Sequence, residues 1–183
     1  MAEIRDLAEA ERWYQQSLEL RSEGEALGRA KPLGQLGSVA CERFKEAREA
    51  GRPAPELAKH LQRALDMYNQ SLKLTPENAI NHLAVPYHQL GNIYGDVGDL
   101  NRTLAHYRQS IRYRESAGDL YGAAQTQYNV AVALAQRDRF GDAKEYALAA
   151  LRNFQTYGEG AKDEVLKTLE LIADVDNAMK PGP

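Results

Sequence analysis

One stretch of the chain returns four times, and it limits the fold more than any other feature. It reads Asp6-Leu7-x2-Ala10-x3-Tyr14-x2-Ser17-Leu18-x-Leu20, then Leu61-x2-Ala64-x3-Tyr68-x2-Ser71-Leu72-x-Leu74. A third copy is Asp99-Leu100-x2-Thr103-x3-Tyr107-x2-Ser110-Ile111-x-Tyr113, and a worn fourth is Phe140-x2-Ala143-x2-Tyr146-x3-Ala150-Leu151-x2-Phe154. Each copy has an apolar anchor, a small residue, an aromatic, a second small residue and a closing apolar pair. Offsets of three, four and seven put these on one face of a helix. Self-similarity at such a period belongs to arrays of stacked units, in which each unit buries its apolar face only against its neighbours.

Composition narrows the function classes. The 183 residues carry 23 Lys+Arg against 26 Asp+Glu, a net charge of -3. That balance gives no electrostatic reason to bind nucleic acid or an anionic membrane. No apolar run of about 18 residues is present, and the start Met1-Ala2-Glu3-Ile4-Arg5-Asp6 lacks the pattern of a secretory signal. Cys41 is the one cysteine, so neither an internal disulfide nor a cysteine metal cluster can form. A reducing, cytoplasmic setting is expected.

Helix-forming residues dominate and no stretch alternates at period two, so the chain is expected to be all-α. Turn signals divide it into about eight helices: Gly28 and Gly34 around Pro32, then Gly51-Arg52-Pro53-Ala54-Pro55, Thr75-Pro76-Glu77-Asn78, Gly98-Asp99, Gly118-Asp119, Arg137-Asp138-Arg139 and Gly158-Glu159-Gly160. The helices form pairs. A second motif marks the first helix of each pair: Pro32-x2-Gln35-Leu36-Gly37, Pro86-Tyr87-His88-Gln89-Leu90-Gly91-Asn92-x-Tyr94, and the variant Tyr128-Asn129-Val130-Ala131-x2-Leu134. Gly37, Gly91 and Ala131 coincide. Glycine costs a helix interior about 1 kcal/mol, so its return predicts a close helix–helix approach at that place. Pro32 and Pro86 also coincide and are expected in a first turn or at a kink.

The run Leu90-Gly91-x2-Tyr94-x3-Gly98-Asp99-Leu100-x2-Thr103-x3-Tyr107-x2-Ser110-Ile111 resembles a tetratricopeptide repeat. That family pairs Leu-Gly-x2-Tyr on a helix A with Ala-x3-aromatic-x2-Ala on a helix B. Thr103 and Ser110 stand where the family usually has Ala. The anchors are 39 residues apart from Leu61 to Leu100 and 40 from Leu100 to Phe140. This exceeds the family's usual length of about 34. It resembles the longer-helix subclass of kinesin light chains and of bacterial arrays attached to signalling NTPases. The resemblance implies a right-handed α-α superhelix of about eight antiparallel helices. The layout it implies is a half repeat at 1–28, repeats at 29–76 (with a long insertion), 78–118 and 119–158, and a capping helix at 160–179. Leu7 and Leu61 are 54 residues apart, so helix A of the second unit should be long and end near Gly51–Pro55. The first unit has only its B helix, leaving one side open for a preceding segment or another chain. Val165, Leu166, Leu169 and Ile172 share a face of the capping helix and are expected to turn inward.

No catalytic or metal-binding pattern stands out. His60, His82, His88 and His106 do not have metal-ligand spacing, and phosphate-loop and nucleophile-elbow motifs are absent. Carboxylates such as Glu19, Glu23 and Glu25 belong to a solvated face, and Cys41 is read as structural. Tyr14, Tyr68, Tyr94, Tyr107, Tyr146 and Phe154 are expected in the core, with tyrosine hydroxyls at its edge.

In the family the chain resembles, helix A lines a concave face. Carried over residue by residue, the inward positions are Lys31, Gly34, Ser38 and Glu42 in the second unit. In the third they are Val85, His88, Asn92 and Asp96. In the fourth they are Gln125, Tyr128, Val132 and Gln136, with Asn129 beside them. The resemblance implies that Asn92 and Asn129 hold the backbone amides of a bound peptide. A carboxamide donates and accepts at once, so it can read extended backbone. His88 and Gln125 stand where carboxylate-clamping members carry Lys, so that clamp is not carried over. The expectation is a non-catalytic scaffold, without cofactor or metal, whose groove (His88, Asn92, Asp96, Gln125, Tyr128, Asn129, Val132) takes a protein or peptide partner. It would form part of a larger multidomain protein. Self-assembly into a homo-oligomer through the uncovered first helix, and a peptide-sensing regulatory role, are the alternatives.

Overall fold

The computed structural model describes residues 6–180. Among them there are eight α-helices, one short 3-10 turn and no strand. The helices are α1 (Leu7–Glu19), α2 (Ala26–Glu49), α3 (Ala54–Leu74), α4 (Ile80–Asp96), α5 (Leu100–Ser116), α6 (Leu120–Ala135), α7 (Phe140–Gln155) and α8 (Lys162–Ala178), with the 3-10 turn at Gly158–Ala161. The chain divides into two compact units between Gln89 and Leu90, inside α4. Among the described residues no helix is long and apolar enough to cross a membrane, and no group of His, Cys, Asp and Glu is placed to hold a metal ion.

In the first unit α2 and α3 form the core hairpin. Ala30, Leu33, Leu36, Val39, Ala40 and Phe44 of α2 are buried, as are Ala64 and Tyr68 of α3. The break expected around Gly28, Pro32 and Gly34 lies earlier, in the turn after Leu20, and all three residues belong to α2. Pro32 and Pro86 are each the seventh residue of their helix and lie buried inside it, not in a first turn. A buried proline there fits because its ring fills space that an amide hydrogen does not. The long second helix A is present and ends at Glu49, where Gly51 (φ 64°) reverses the chain. Pro53 and Pro55 then open α3 at positions whose amides need no helical partner. Helix α1 buries none of its residues fully. Its Glu11 reaches Arg43 of α2 (2.6 Å) and Arg63 of α3. Ala10, Tyr14 and Ser17 are only half-buried, whereas Ala64, Tyr68 and Ser71 at the same places in α3 are fully buried.

The second unit repeats one joint. Gly98 (φ 79°) and Gly118 (φ 74°) end their helices in the left-handed conformation, and Asp99 and Asp119 cap the next by accepting from the amides of Arg102 (3.0 Å) and Gly122 (2.9 Å). At the third joint Asp138 takes the left-handed place (φ 57°), which a short polar side chain tolerates. Leu104, Tyr107, Ile111, Val130, Leu134, Ala143 and Val175 form one apolar cluster; Ala124, Ala150, Phe154 and Ala161 form another.

The glycines at the close approach behave as expected. A Cβ at Gly37 would come within 2.9 Å of the Tyr68 ring, and one at Gly91 would come closer still to Tyr107. The fourth copy has a different register from the one read in sequence. Ala147, not Tyr146, occupies the aromatic's place and is fully buried; Tyr146 packs at the edge of the core. The volumes match this register: Ala131 carries the methyl that Gly37 and Gly91 lack, and the buried residue at the tyrosine's register place is the smaller Ala147. Tyr94 also departs from the expected core. It is half-buried, with its ring stacked on His106 (5.2 Å between centroids) and the Arg102 guanidinium 4.8 Å from its face. Burial, with the Arg102 charge adding to it, lowers the pKa of His106. On α8, Thr168 and Val175 face inward and Val165 packs on the second cluster, but Leu166 and Leu169 are 51% and 45% exposed.

Gly91→Ala should therefore destabilise the fold by about 1–2 kcal/mol, because overpacking costs roughly 1–3 kcal/mol and helix propensity returns about 1. In a Tyr107→Ala background the same change should be neutral or stabilising, as at the Ala131–Ala147 pair. Gly141→Ala, with nothing within 4 Å of the added carbon, should stabilise by about 0.4–1 kcal/mol. Urea denaturation of the four variants checks this; an unaltered penalty in the Tyr107→Ala background would refute the steric origin.

Candidate functional site

None of the groove positions named from sequence is fully buried. Asp96 and Gln125 are exposed; His88, Asn92, Tyr128, Asn129 and Val132 are half-buried. In the second unit, Asn92 on α4 and Asn129 on α6 are brought together by a residue from α5. The Tyr107 hydroxyl donates to the Asn92 side-chain oxygen at 2.6 Å, and the Asn129 amide hydrogen-bonds to the same phenol. One buried ring thus fixes the carboxamides of two neighbouring A helices. The phenol is pushed up to about 12, chiefly by burial; the Asn129 bond opposes the rise and the Asp96 charge adds to it.

This geometry follows from the close approach. Only a glycine at position 91 lets the Tyr107 ring cross α4 under the backbone, and the hydroxyl then emerges one residue on, at Asn92. The first unit has the same arrangement with different chemistry. Tyr68 crosses beneath Gly37 and its hydroxyl lies 3.0 Å from the Ser38 hydroxyl. Beside it is a cleft of about 250 Å³ lined by Lys31, Gly34 and Ser38 of α2 and by Asn81, His82 and Val85 of α4. Lys31, Gly34, Ser38 and Val85 are four of the inward positions read from sequence. Burial, the first cause, drives the Tyr68 phenol well above its ordinary range, and the Ser38 bond opposes it.

Tyr128 packs against the cluster of Ala124, Ala150, Phe154 and Ala161, so its ring is partly structural. Gln125 projects into solvent, and the structure shows no side-chain bond of Val132 that would orient it chemically. Tyr107 and Tyr68 were read from sequence as core residues with hydroxyls at its edge, without partners for those hydroxyls; the signal of their second role is that the place beneath each glycine holds Tyr and not Phe.

In an unfolded chain the phenol titrates near 10, and in the folded protein near 12. Because the folded pKa is raised, the stabilisation is fully present below pH 10 and is lost as the pH climbs through about 12. Two units at 1.36 kcal/mol each give a loss of about 2–3 kcal/mol. Urea midpoints measured across that window should fall, and Tyr107→Phe should fall less; identical pH profiles would show that Tyr107 does not titrate this way.

A tetratricopeptide-repeat profile matches residues 84–116, the segment that holds Asn92, Asp96 and Tyr107. A search of characterised proteins finds no match. Among solved structures, one titled "Crystal structure of BtubC (BKLC) from P. vanneervenii" is similar in fold, with a TM-score of 0.60 and 14% identity, over 94% of this chain and 84% of that one. The paired helices, the glycine–tyrosine approach and these two matches agree on a helical-repeat fold in which residues 84–116 match a tetratricopeptide repeat.

Proposed function

We propose that the chain is a non-catalytic scaffold that binds an extended segment of a partner protein along its A helices, with Asn92 and Asn129 as the principal contacts. Tetratricopeptide repeats are a protein-interaction architecture, and stacked helix pairs offer long surfaces for it. The observation that carries this reading is the Tyr107 bridge. A carboxamide loose in solvent must be ordered before it can read a backbone, at about 0.5–1.5 kcal/mol per side chain. The bridge orders two at once and leaves both half-exposed. Asn92 accepts from Tyr107 through its oxygen, so the bridge fixes which way its carboxamide points. Asp96 adds a negative charge at the same end of α4, favouring a partner with a basic residue beside the bound backbone. The 39- and 40-residue anchor spacing supports placing the chain in the longer-helix subclass.

Peptides selected against the full chain from a random display library provide the test. A selected peptide should lose at least about tenfold in affinity for the Asn92→Ala/Asn129→Ala double variant, which removes two hydrogen bonds of about 1 kcal/mol each. Tyr107→Phe should weaken it by a smaller factor. Undiminished binding to the double variant in a fluorescence titration would place the contact elsewhere.

A further inference from the structure

The outer face of α8 has the register of a helix that the other repeats cover. Counted from the first residue of each helix, the fifth, eighth and twelfth places are Ala30, Leu33 and Gly37 in α2 and Ala124, Gln127 and Ala131 in α6. All six are buried. In both helices the following B helix meets them: the Ser71 hydroxyl of α3 donates to the Ala30 carbonyl, Tyr68 lies beneath Gly37, and the Asn153 amide of α7 donates to Gln127. The same places in α8 are Leu166, Leu169 and Ala173, and all three are exposed.

Helix α8 also lies as an A helix lies. It runs parallel to α6: Tyr121 and Glu164, near the two N-termini, are joined by a 2.8 Å hydrogen bond, and Leu134 and Val175, near the C-termini, share one cluster. Its inward residues, Thr168 and Val175, are those that pack on the preceding hairpin. The side left open is the side that a B helix covers in α2 and α6.

We infer that this face of α8 is a docking site for an amphipathic helix of a partner protein that carries alanine-sized residues where α7 has Ala143, Ala147 and Ala150. It continues the α6–α7 interface by one more step and is independent of the groove around Asn92. Size selects the occupant. A glycine on the A helix admits tyrosine, as at Gly37–Tyr68 and Gly91–Tyr107, whereas in the fourth copy the corresponding places hold Ala131 and Ala147, both fully buried. Ala173 therefore calls for a small residue opposite. That excludes α1 of a second copy, which presents Tyr14 at this place. Charge adds a second condition. Asp163, Glu170 and Asp174 are exposed along one edge of the same face with Lys167 among them, so that edge is net acidic and the occupant carries Lys or Arg on that flank.

A fluorescein-labelled peptide of residues 140–157, the α7 sequence with Ala143, Ala147 and Ala150, serves as the probe against the full chain. Saturable binding is expected, weakened at least about tenfold by Leu166→Glu and likewise by Ala173→Phe. Both substitutions fall on solvent-exposed positions, and unchanged circular dichroism and melting will show that the variants fold. A peptide of residues 100–118, with Tyr107 at the critical place, should bind at least tenfold more weakly. Absence of saturable binding, indifference to both variants, or equal binding of the two peptides would overturn the inference. So would a concentration-dependent dimer, seen by sedimentation, that Leu166→Glu abolishes, since a second copy would then be the occupant.

Discussion

The passage of a tyrosine ring beneath a glycine backbone is the contact on which the rest of this architecture depends. At Gly37–Tyr68 and Gly91–Tyr107 it brings an A helix and its B helix closer than any side chain on the A helix would allow. The approach buries both rings and sets how each hairpin closes. It also sends the phenol hydroxyl past the helix to the residue after the glycine, which is Ser38 in one repeat and Asn92 in the other. A packing device thus delivers a hydrogen-bonding group to the surface where a partner is proposed to bind. In the third pair the corresponding places hold Ala131 and Ala147, both fully buried, so no phenol is delivered beside Val132.

The helices, their pairing and the close approach were legible in sequence because each rests on local periodicity or on a glycine whose cost demands a cause. Other features rested on what lies opposite and were read less well. Tyr146 took the aromatic's place in the fourth copy because it is aromatic, but the volume of Ala131 decides the matter from across the hairpin. Pro32 read as a turn because proline usually ends a helix. In α2 its ring is buried inside the helix, and only the packing reveals that. Leu166 and Leu169 were assigned inward on the assumption that apolar residues of a terminal helix face the core. The pattern of α8 holds two apolar faces, and periodicity alone does not say which is covered.

The asparagines were named from the family resemblance, and the structure shows what joins them. Asn92 and Asn129 lie on separate A helices and would be independent side chains if nothing joined them. The Tyr107 phenol accepts from one and donates to the other. Such a relay works only while the phenol keeps its proton, and the burial that raises its pKa secures this at any physiological pH. Replacing the tyrosine with phenylalanine would preserve most of the packing and remove the relay, so packing alone does not account for tyrosine at this place. In the first unit the Tyr68 hydroxyl meets Ser38 and Cys41 beside a cleft edged by Lys31 and His82. With the same backbone device in each unit, the identity of the residue after each glycine sets which hydrogen-bonding group that part of the surface presents.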